Sequence, residues 1–472
     1  HHHRTNRVVH RQVGADRRGA TTQSLMSLLR STLTLLAGGA LAQLIPLLLG
    51  PVITRLFTPE AFGVFTSFST IAATVAVVAC ARYEFALPMA REAREADSLL
   101  ALSLRILLAV LLLSLPLAWA LHRWGYLPLP GLLPLAVVAA GLLQLLTMWS
   151  NRAQRFRALA ISRVLQYCGT AVLQVLLGAA LWWQARSPAG SASAWALVAA
   201  PIAAAMIASL VLLRPAPAAG WRGVLPLLPK DKPDLPLTND AIQADDLRRV
   251  ASKYRDFPLL NTPHAFLGTL QDALAVALLI AWSGEAAAGF WGLALRYLKA
   301  PATLVGSAVS QALYPRLANA RPADAQRAVR QIMLLLGAVA LSLMAVLMIA
   351  GPWLFHLVFG EQWRDAGELA RALAPYIAAH FVAAPLAVVT MAWKAQRWAF
   401  RWALVGQLAF VLALALGLRL GGLIAGAWAV SAAMVLYFGI YFWRLAFWPA
   451  IPEPEPQDPA EPWVKELVEE MP

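Results

Sequence analysis

Charge is scarce in this sequence. Of its 472 residues only 14% are Asp, Glu, Lys or Arg, where a soluble chain carries roughly a quarter. That shortage excludes an ordinary soluble globular domain. Cysteine is scarcer still. Cys80 and Cys168 sit inside apolar runs and have neither disulfide nor metal-ligand spacing, so no metal site is expected. The phosphate-cradling pattern G-x-x-x-x-G-K-[ST] does not occur, which excludes ATP as the direct driver within this chain and leaves no cofactor to expect. Large loop domains are also missing. The longest connection on the expected outer side, 351–367, has no converging carboxylates, which argues against a membrane polymerase or ligase. No cleavable signal peptide is visible, and the first apolar run is expected to act as its own insertion signal.

What the sequence has in abundance is apolar length. Hydrophobic residues make up 60% of the chain, and the runs are about 20 residues long, enough to span roughly 30 Å of hydrocarbon. Twelve such runs fall near 31–53, 62–81, 98–119, 131–150, 161–183, 193–213, 257–282, 286–313, 329–350, 368–391, 402–418 and 422–446. The expectation is an all-α polytopic membrane protein and not an enzyme. It should have about twelve transmembrane helices, in two six-helix lobes around a central cavity.

The formal net charge of +14 could suggest nucleic acid, but its placement argues against that partner. Thirty of the 39 Lys and Arg lie in the terminal extension or in alternate connections, and only six in the opposite ones (Arg55, Arg123, Arg186, Arg364, Arg371 and Arg419). Basic residues are retained on the cytoplasmic side, so this bias predicts both termini inside. An odd number of spans would break the alternation.

Residues 1–25 are basic, polar and aperiodic, and are expected to be a disordered extension ahead of Met26. The Pro- and Glu-rich residues 449–472 form an expected disordered acidic tail. The stretch 214–256, Pro-rich and then charged, reads as a cytoplasmic linker between an N-terminal lobe, 26–213, and a C-terminal lobe, 257–448. Across that split, Pro59-Glu-Ala-Phe-Gly-Val-Phe and Glu285-Ala-Ala-Ala-Gly-Phe-Trp lie in the first outer hairpin of their halves. Gly63 and Gly289 are 226 positions apart. Two six-span halves would insert in the same orientation as parallel repeats. Chance likeness of two short Gly/Ala turns is the competing reading.

Several stretches resemble the Wzx-type oligosaccharide flippases of the multidrug/oligosaccharidyl-lipid/polysaccharide superfamily. Thr54-Arg-Leu-Phe-Thr-Pro-Glu-Ala-Phe-Gly is similar to that family's first outer turn, and Arg82-Tyr-Glu-Phe-Ala-Leu-Pro to its Arg-Tyr-Glu signature. Phe156-Arg-Ala-Leu-Ala-Ile-Ser-Arg-Val-Leu-Gln resembles the inner turn before its fifth helix. The strongest likeness is Phe257-Pro-Leu-Leu-Asn-Thr-Pro followed by Ala300-Pro-Ala-Thr-Leu-Val-Gly-Ser-Ala-Val-Ser-Gln-Ala-Leu-Tyr-Pro-Arg. Leu357-Val-Phe-Gly-Glu-Gln-Trp and Ala374-Pro-Tyr fit the ninth-to-tenth connection. The resemblance implies a bacterial inner-membrane flippase that moves an undecaprenyl-pyrophosphate-linked oligosaccharide between leaflets by alternating access, coupled to an ion gradient. Its implied partners are the anionic lipid-linked glycan, membrane lipids and other polysaccharide-assembly membrane proteins. A drug or metabolite exporter on the same fold is the alternative, and an uncoupled scramblase a further one.

An anionic, hydrated headgroup needs a wet and cationic path through hydrocarbon. Three basic residues fall inside spans: Arg296 and Lys299, on one face of the eighth, and Arg105 in the third, within snorkelling reach of the headgroups. All three are substrate-binding candidates, with a structural ion pair as the competing reading for the first two. Asp272 and Arg296 lie twelve residues either side of Gly284, so an antiparallel hairpin would set them at one depth as a gating or coupling pair. His380, mid-span in the tenth helix, reads as a proton carrier or as a packed histidine. Arg152, Arg155 and Arg157 could draw the headgroup to the inner face, although the ordinary positive-inside bias also accounts for them. Arg82 and Glu84 are explained equally well by the signature and by a simple ion pair.

Overall fold

The computed structural model describes residues 44–213, 244–449 and 451. The expected extension at 1–25, the greater part of the linker and nearly all of the acidic tail lie outside the described residues. Eleven α-helices order the described chain. They are α1 (Leu44–Leu56), α2 (Pro59–Ala76), α3 (Ala93–Arg123), α4 (Leu132–Arg152), α5 (Phe156–Ala185), α6 (Trp195–Leu213), α7 (Ala244–Lys253), α8 (Thr262–Asn319), α9 (Pro322–Phe359), α10 (Arg364–Ala392) and α11 (Gln396–Ala446). Short 3₁₀ and π turns join some of them, and no strand occurs among the described residues.

Local chemistry sets the breaks. Thr58 caps α2, its hydroxyl oxygen accepting from the Ala61 amide at 3.4 Å. Pro59 follows at a position where its missing N–H costs nothing. Helix α8 runs 58 residues, about 87 Å at 1.5 Å per residue, nearly three bilayer cores. It cannot be one crossing. Gly284, at φ 85 and ψ 174, breaks it where a side chain would be strained, and two rods result. Gly422, at φ 73, divides α11 in the same way. With α8 and α11 counted as two rods each and α7 set aside, the described residues hold twelve rods, matching the twelve apolar runs.

Large apolar side chains cover the outside of these rods. Leu113, Leu334, Ile349, Leu420 and Leu436 are each about two-thirds exposed or more. Such a surface is tolerable only against lipid tails, and the helical backbone satisfies its own polar groups there. Trp119, Trp183 and Trp282 lie exposed at rod ends, the place for interfacial anchors. The chain is an all-α polytopic membrane protein.

Two compact units make up the chain. The first runs to Leu293 and includes Phe355–Arg364; the second comprises Ala294–Leu354 and everything from Asp365. The core of the first unit is built from Phe68, Leu99, Leu107, Leu133, Val137 and Leu145 on α2, α3 and α4. Part of the expected linker is ordered into it. Leu247 and Val250 of α7 are buried, each contributing roughly 1.5–3 kcal/mol relative to exposure. Arg94 of α3 donates to Asp246 at 3.0 Å, Lys253 pairs with Glu95, and the Tyr83 hydroxyl donates to the Ala251 carbonyl at 3.2 Å. The Glu95 carboxylate holds the Lys253 ammonium above its ordinary pKa.

The core of the second unit gathers Leu313, Val329, Leu336, Phe381, Leu386 and Val389. Its α11 folds back on itself through an aromatic ladder. Trp398 stacks on Tyr441 (5.8 Å, 12°) and Trp402 on Tyr437 (5.2 Å, 8°).

Candidate functional site

In the first unit, α2 and the second rod of α8 meet at two glycines. A side chain on Gly63 would overlap the Glu285 carbonyl, and one on Gly289 would overlap the Pro59 carbonyl. Small residues at a helix contact let two backbones approach closely in a membrane. A cavity of about 230 Å³ adjoins this crossing. It is lined by Phe65, Thr66, Ser69, Thr70 and Ala73 of α2 and by Thr269, Asp272 and Gly292 of α8.

The lining has a definite chemistry. Thr66 donates its hydroxyl proton to the Phe62 carbonyl (2.7 Å), Thr70 to that of Ser67 (3.0 Å) and Thr269 to that of Phe266 (3.0 Å). A hydroxyl has one proton to give, so those three oxygens offer the cavity only lone pairs. With the Asp272 carboxylate beside them, the cavity suits a cation, a proton, or a donor-rich group such as a sugar hydroxyl. The hydroxyl face was legible as Thr66, Ser69 and Thr70 at helical spacing, but the sequence reading did not single it out.

In the second unit, Lys299 and His380 share Tyr376. The Lys299 ammonium lies 5.7 Å from the Tyr376 ring centroid, and the His380 ring 5.9 Å from it, with the Phe438 ring 6.2 Å from that of His380. A cation over an aromatic face is held by the ring quadrupole. Arg296 lies one turn before Lys299 on the same rod. The structure thus brings Lys299 and His380 together around Tyr376, an aromatic that the sequence reading missed. Asp272 belongs to the first unit and Arg296 to the second, so their pairing remains an expectation.

The inner-end arginines divide. Arg105 and Arg157 are exposed. Arg155 donates to the Leu212 carbonyl at 2.9 Å and Arg152 to the Glu92 carbonyl at 3.4 Å. The first of these satisfies one of the open carbonyls in the last turn of α6, a structural task that coexists with headgroup attraction. Arg82 lies over the Phe85 ring at 4.9 Å. Glu84 is buried with one carboxylate oxygen lacking a hydrogen-bond partner, and burial pushes its carboxyl above the usual range. Among the described residues, no three His, Cys, Asp or Glu side chains are grouped to hold a metal ion.

Solved structures share this arrangement of helices. The lipid II flippase MurJ, in an inward closed conformation, is similar over 87% of this chain and 89% of its own, with TM-score 0.62 and 10% identity. An inward-facing multidrug resistance MATE family transporter of the MOP superfamily is similar over 87% of this chain and 100% of its own, with TM-score 0.57 and 13% identity. This is the MOP-superfamily fold. A MOP-superfamily transporter from Pyrococcus furiosus, whose binding pocket is described as reversed in polarity, also has it (TM-score 0.53, 14% identity, 89% of this chain and 95% of its own). Residues 252–368, about a quarter of the chain, match the family described as "Polysaccharide biosynthesis protein". No curated protein matches the chain. The matched segment contains Asp272, Arg296 and Lys299, whereas Arg105, Arg152, Arg155, Arg157 and His380 lie outside it.

Proposed function

We propose that this protein is a flippase that carries an undecaprenyl-pyrophosphate-linked oligosaccharide from the cytoplasmic to the periplasmic leaflet of a bacterial inner membrane. One observation carries the reading. The segment matching the polysaccharide biosynthesis family holds two intramembrane cations, Arg296 and Lys299, one turn apart on one rod of a transporter fold. A pyrophosphate is the group that would repay the cost of keeping those cations in hydrocarbon.

Lys299 and Arg296 take the pyrophosphate, and Arg105 assists toward the inner face. Asp272 holds Arg296 in one state. In the other it releases Arg296 to substrate, its own charge met by a proton or cation in the acceptor-lined cavity. That exchange couples glycan movement to an ion gradient. His380, beside Lys299, senses the same exchange. Arg152, Arg155 and Arg157 gather the headgroup at the inner face, with both termini on that side. Membrane lipids and other polysaccharide-assembly membrane proteins are the expected partners.

A drug or metabolite exporter is the second reading, favoured by the likeness to the multidrug resistance MATE transporter over all of that chain. Amphipathic cations would favour an acidic path, whereas the charges inside these rods are mainly basic. A deletion strain distinguishes the two. The flippase reading expects lipid-linked glycan to accumulate at the cytoplasmic leaflet, with restoration by the intact gene. Normal lipid intermediates together with new drug sensitivity would replace it by the exporter.

A further inference from the structure

Trp363 lies in the connection between α9 and α10, where a loop residue is ordinarily exposed, yet it is fully buried. Its surroundings account for that. The indole Nε1 donates to the Thr54 carbonyl at 2.9 Å. Gln362 donates to the same carbonyl at 2.5 Å and to that of Phe57 at 3.3 Å, while the Thr54 hydroxyl lies within hydrogen-bond distance of two carbonyls, Pro51 at 3.1 Å and Phe359 at 3.3 Å. Carbonyls in the last turn of a helix have no partner within it, so the 359–363 turn completes the end of α1. The indole then fits edgewise between two rings, Phe62 of α2 at 4.9 Å and Phe290 of α8 at 5.9 Å.

Those two rings flank the glycine crossing. Phe62 immediately precedes Gly63, and Phe290 immediately follows Gly289. One turn further along both helices, Thr66 and Gly292 line the Asp272 cavity. Along both helices the crossing comes first, with the Trp363 wedge set against it, and the cavity follows within one turn. Between the two helices at the crossing there is no room for even a methyl group.

We infer that the α2–α8 crossing, keyed by Trp363, is a gate closing one mouth of the Asp272 cavity, and that withdrawal of the indole opens it. The wedge is well suited to move. It belongs to a short connection rather than a rod, and it is held by a few hydrogen bonds and two ring edges. The inference draws on the proposed function only for the direction in which the mouth opens.

Cysteine labelling tests it without measuring transport. Cys80 and Cys168 are replaced by serine and Ser69 in the cavity wall by cysteine, and spheroplasts are treated with a membrane-impermeant maleimide. The S69C protein with Trp363 intact is expected to resist labelling, and adding Trp363→Ala should raise labelling several-fold. Gly289→Ala, which wedges the crossing apart while leaving the indole in place, should do the same and serves if the tryptophan variant accumulates poorly. Labelling that appears in inverted vesicles instead would uphold the gate and overturn the assigned orientation. Equal labelling with and without these substitutions, at matched membrane levels, would overturn the gate.

Discussion

Gly63 and Gly289 occupy reciprocal places. The first packs on the carbonyl of Glu285 and the second on the carbonyl of Pro59, and the offset of 226 that relates Gly63 to Gly289 also relates Pro59 to Glu285. A contact that maps onto itself under the repeat is what an approximate two-fold axis between two equivalent helices produces. Chance likeness of two Gly/Ala turns accounts for the shared residues but not for their reciprocal contact.

Either glycine is therefore a sensitive position. Gly63→Ala or Gly289→Ala places a methyl group against backbone, and overpacking of this kind costs about 1–3 kcal/mol. Thermal unfolding in detergent should show a lowered midpoint for each. The double variant should lose less than the sum, because the first methyl already separates the helices that the second would push apart. Strict additivity would mean that the two glycines do not share one contact.

The two intramembrane cations should behave differently from the glycines. Arg296→Ala and Lys299→Ala are each expected to lower glycan export about tenfold or more, equivalent to roughly 1.4 kcal/mol in the barrier, at unchanged membrane levels. Arg296→Lys should retain part of the activity, since charge matters more than fork geometry to a mobile pyrophosphate. Asp272→Asn should slow or uncouple export rather than unfold the protein. Loss of membrane accumulation in all three positions would make the trio structural.

Much of this architecture was legible in the sequence because a bilayer imposes a length and a polarity on every crossing. Eleven of the apolar runs and the described part of the first reappear as rods, and the turn placed at Gly284 is a break at positive φ. Less legible was anything that depends on which rods meet. Ala244–Lys253, charged enough to read as linker, becomes a helix because Val250 joins an apolar core with α3 residues that only the fold supplies. Trp363 stood in a stretch recognised by family likeness, and nothing local could say that its indole would reach Thr54, 309 positions away. Tyr376 was quoted within a motif, yet its place between Lys299 and His380 is a tertiary fact.

Glu84 gives a prediction in pH. Burial raises its carboxyl pKa in the folded protein, so the folded state favours the protonated form. The corresponding stability is fully present below the unfolded-state pKa and is lost as pH rises through the folded-state value. Glu84→Gln, always neutral, should therefore raise the unfolding midpoint at pH 8, with the gain shrinking as the pH is lowered toward the ordinary carboxylate range. A gain that did not vary with pH would show that the burial of charge is not its cause.

Orientation is open to direct reading. Reporter fusions after Arg157, at Lys232 and at the C-terminus should report cytoplasm, and fusions at Pro188 and Gly284 periplasm. A periplasmic signal at Lys232 would break the division into two six-span halves.

Reconstitution tests glycan transfer itself. Purified protein in liposomes is supplied with an undecaprenyl-pyrophosphate-linked oligosaccharide, and the fraction of glycan reaching the opposite leaflet is followed with an impermeant lectin under an imposed ion gradient. The expected result is faster transfer than in protein-free liposomes, dependence on the gradient, and loss of transfer in the protein lacking Arg296 and Lys299. Transfer no faster than in protein-free liposomes, or transfer unaffected by removing both cations, would contradict it.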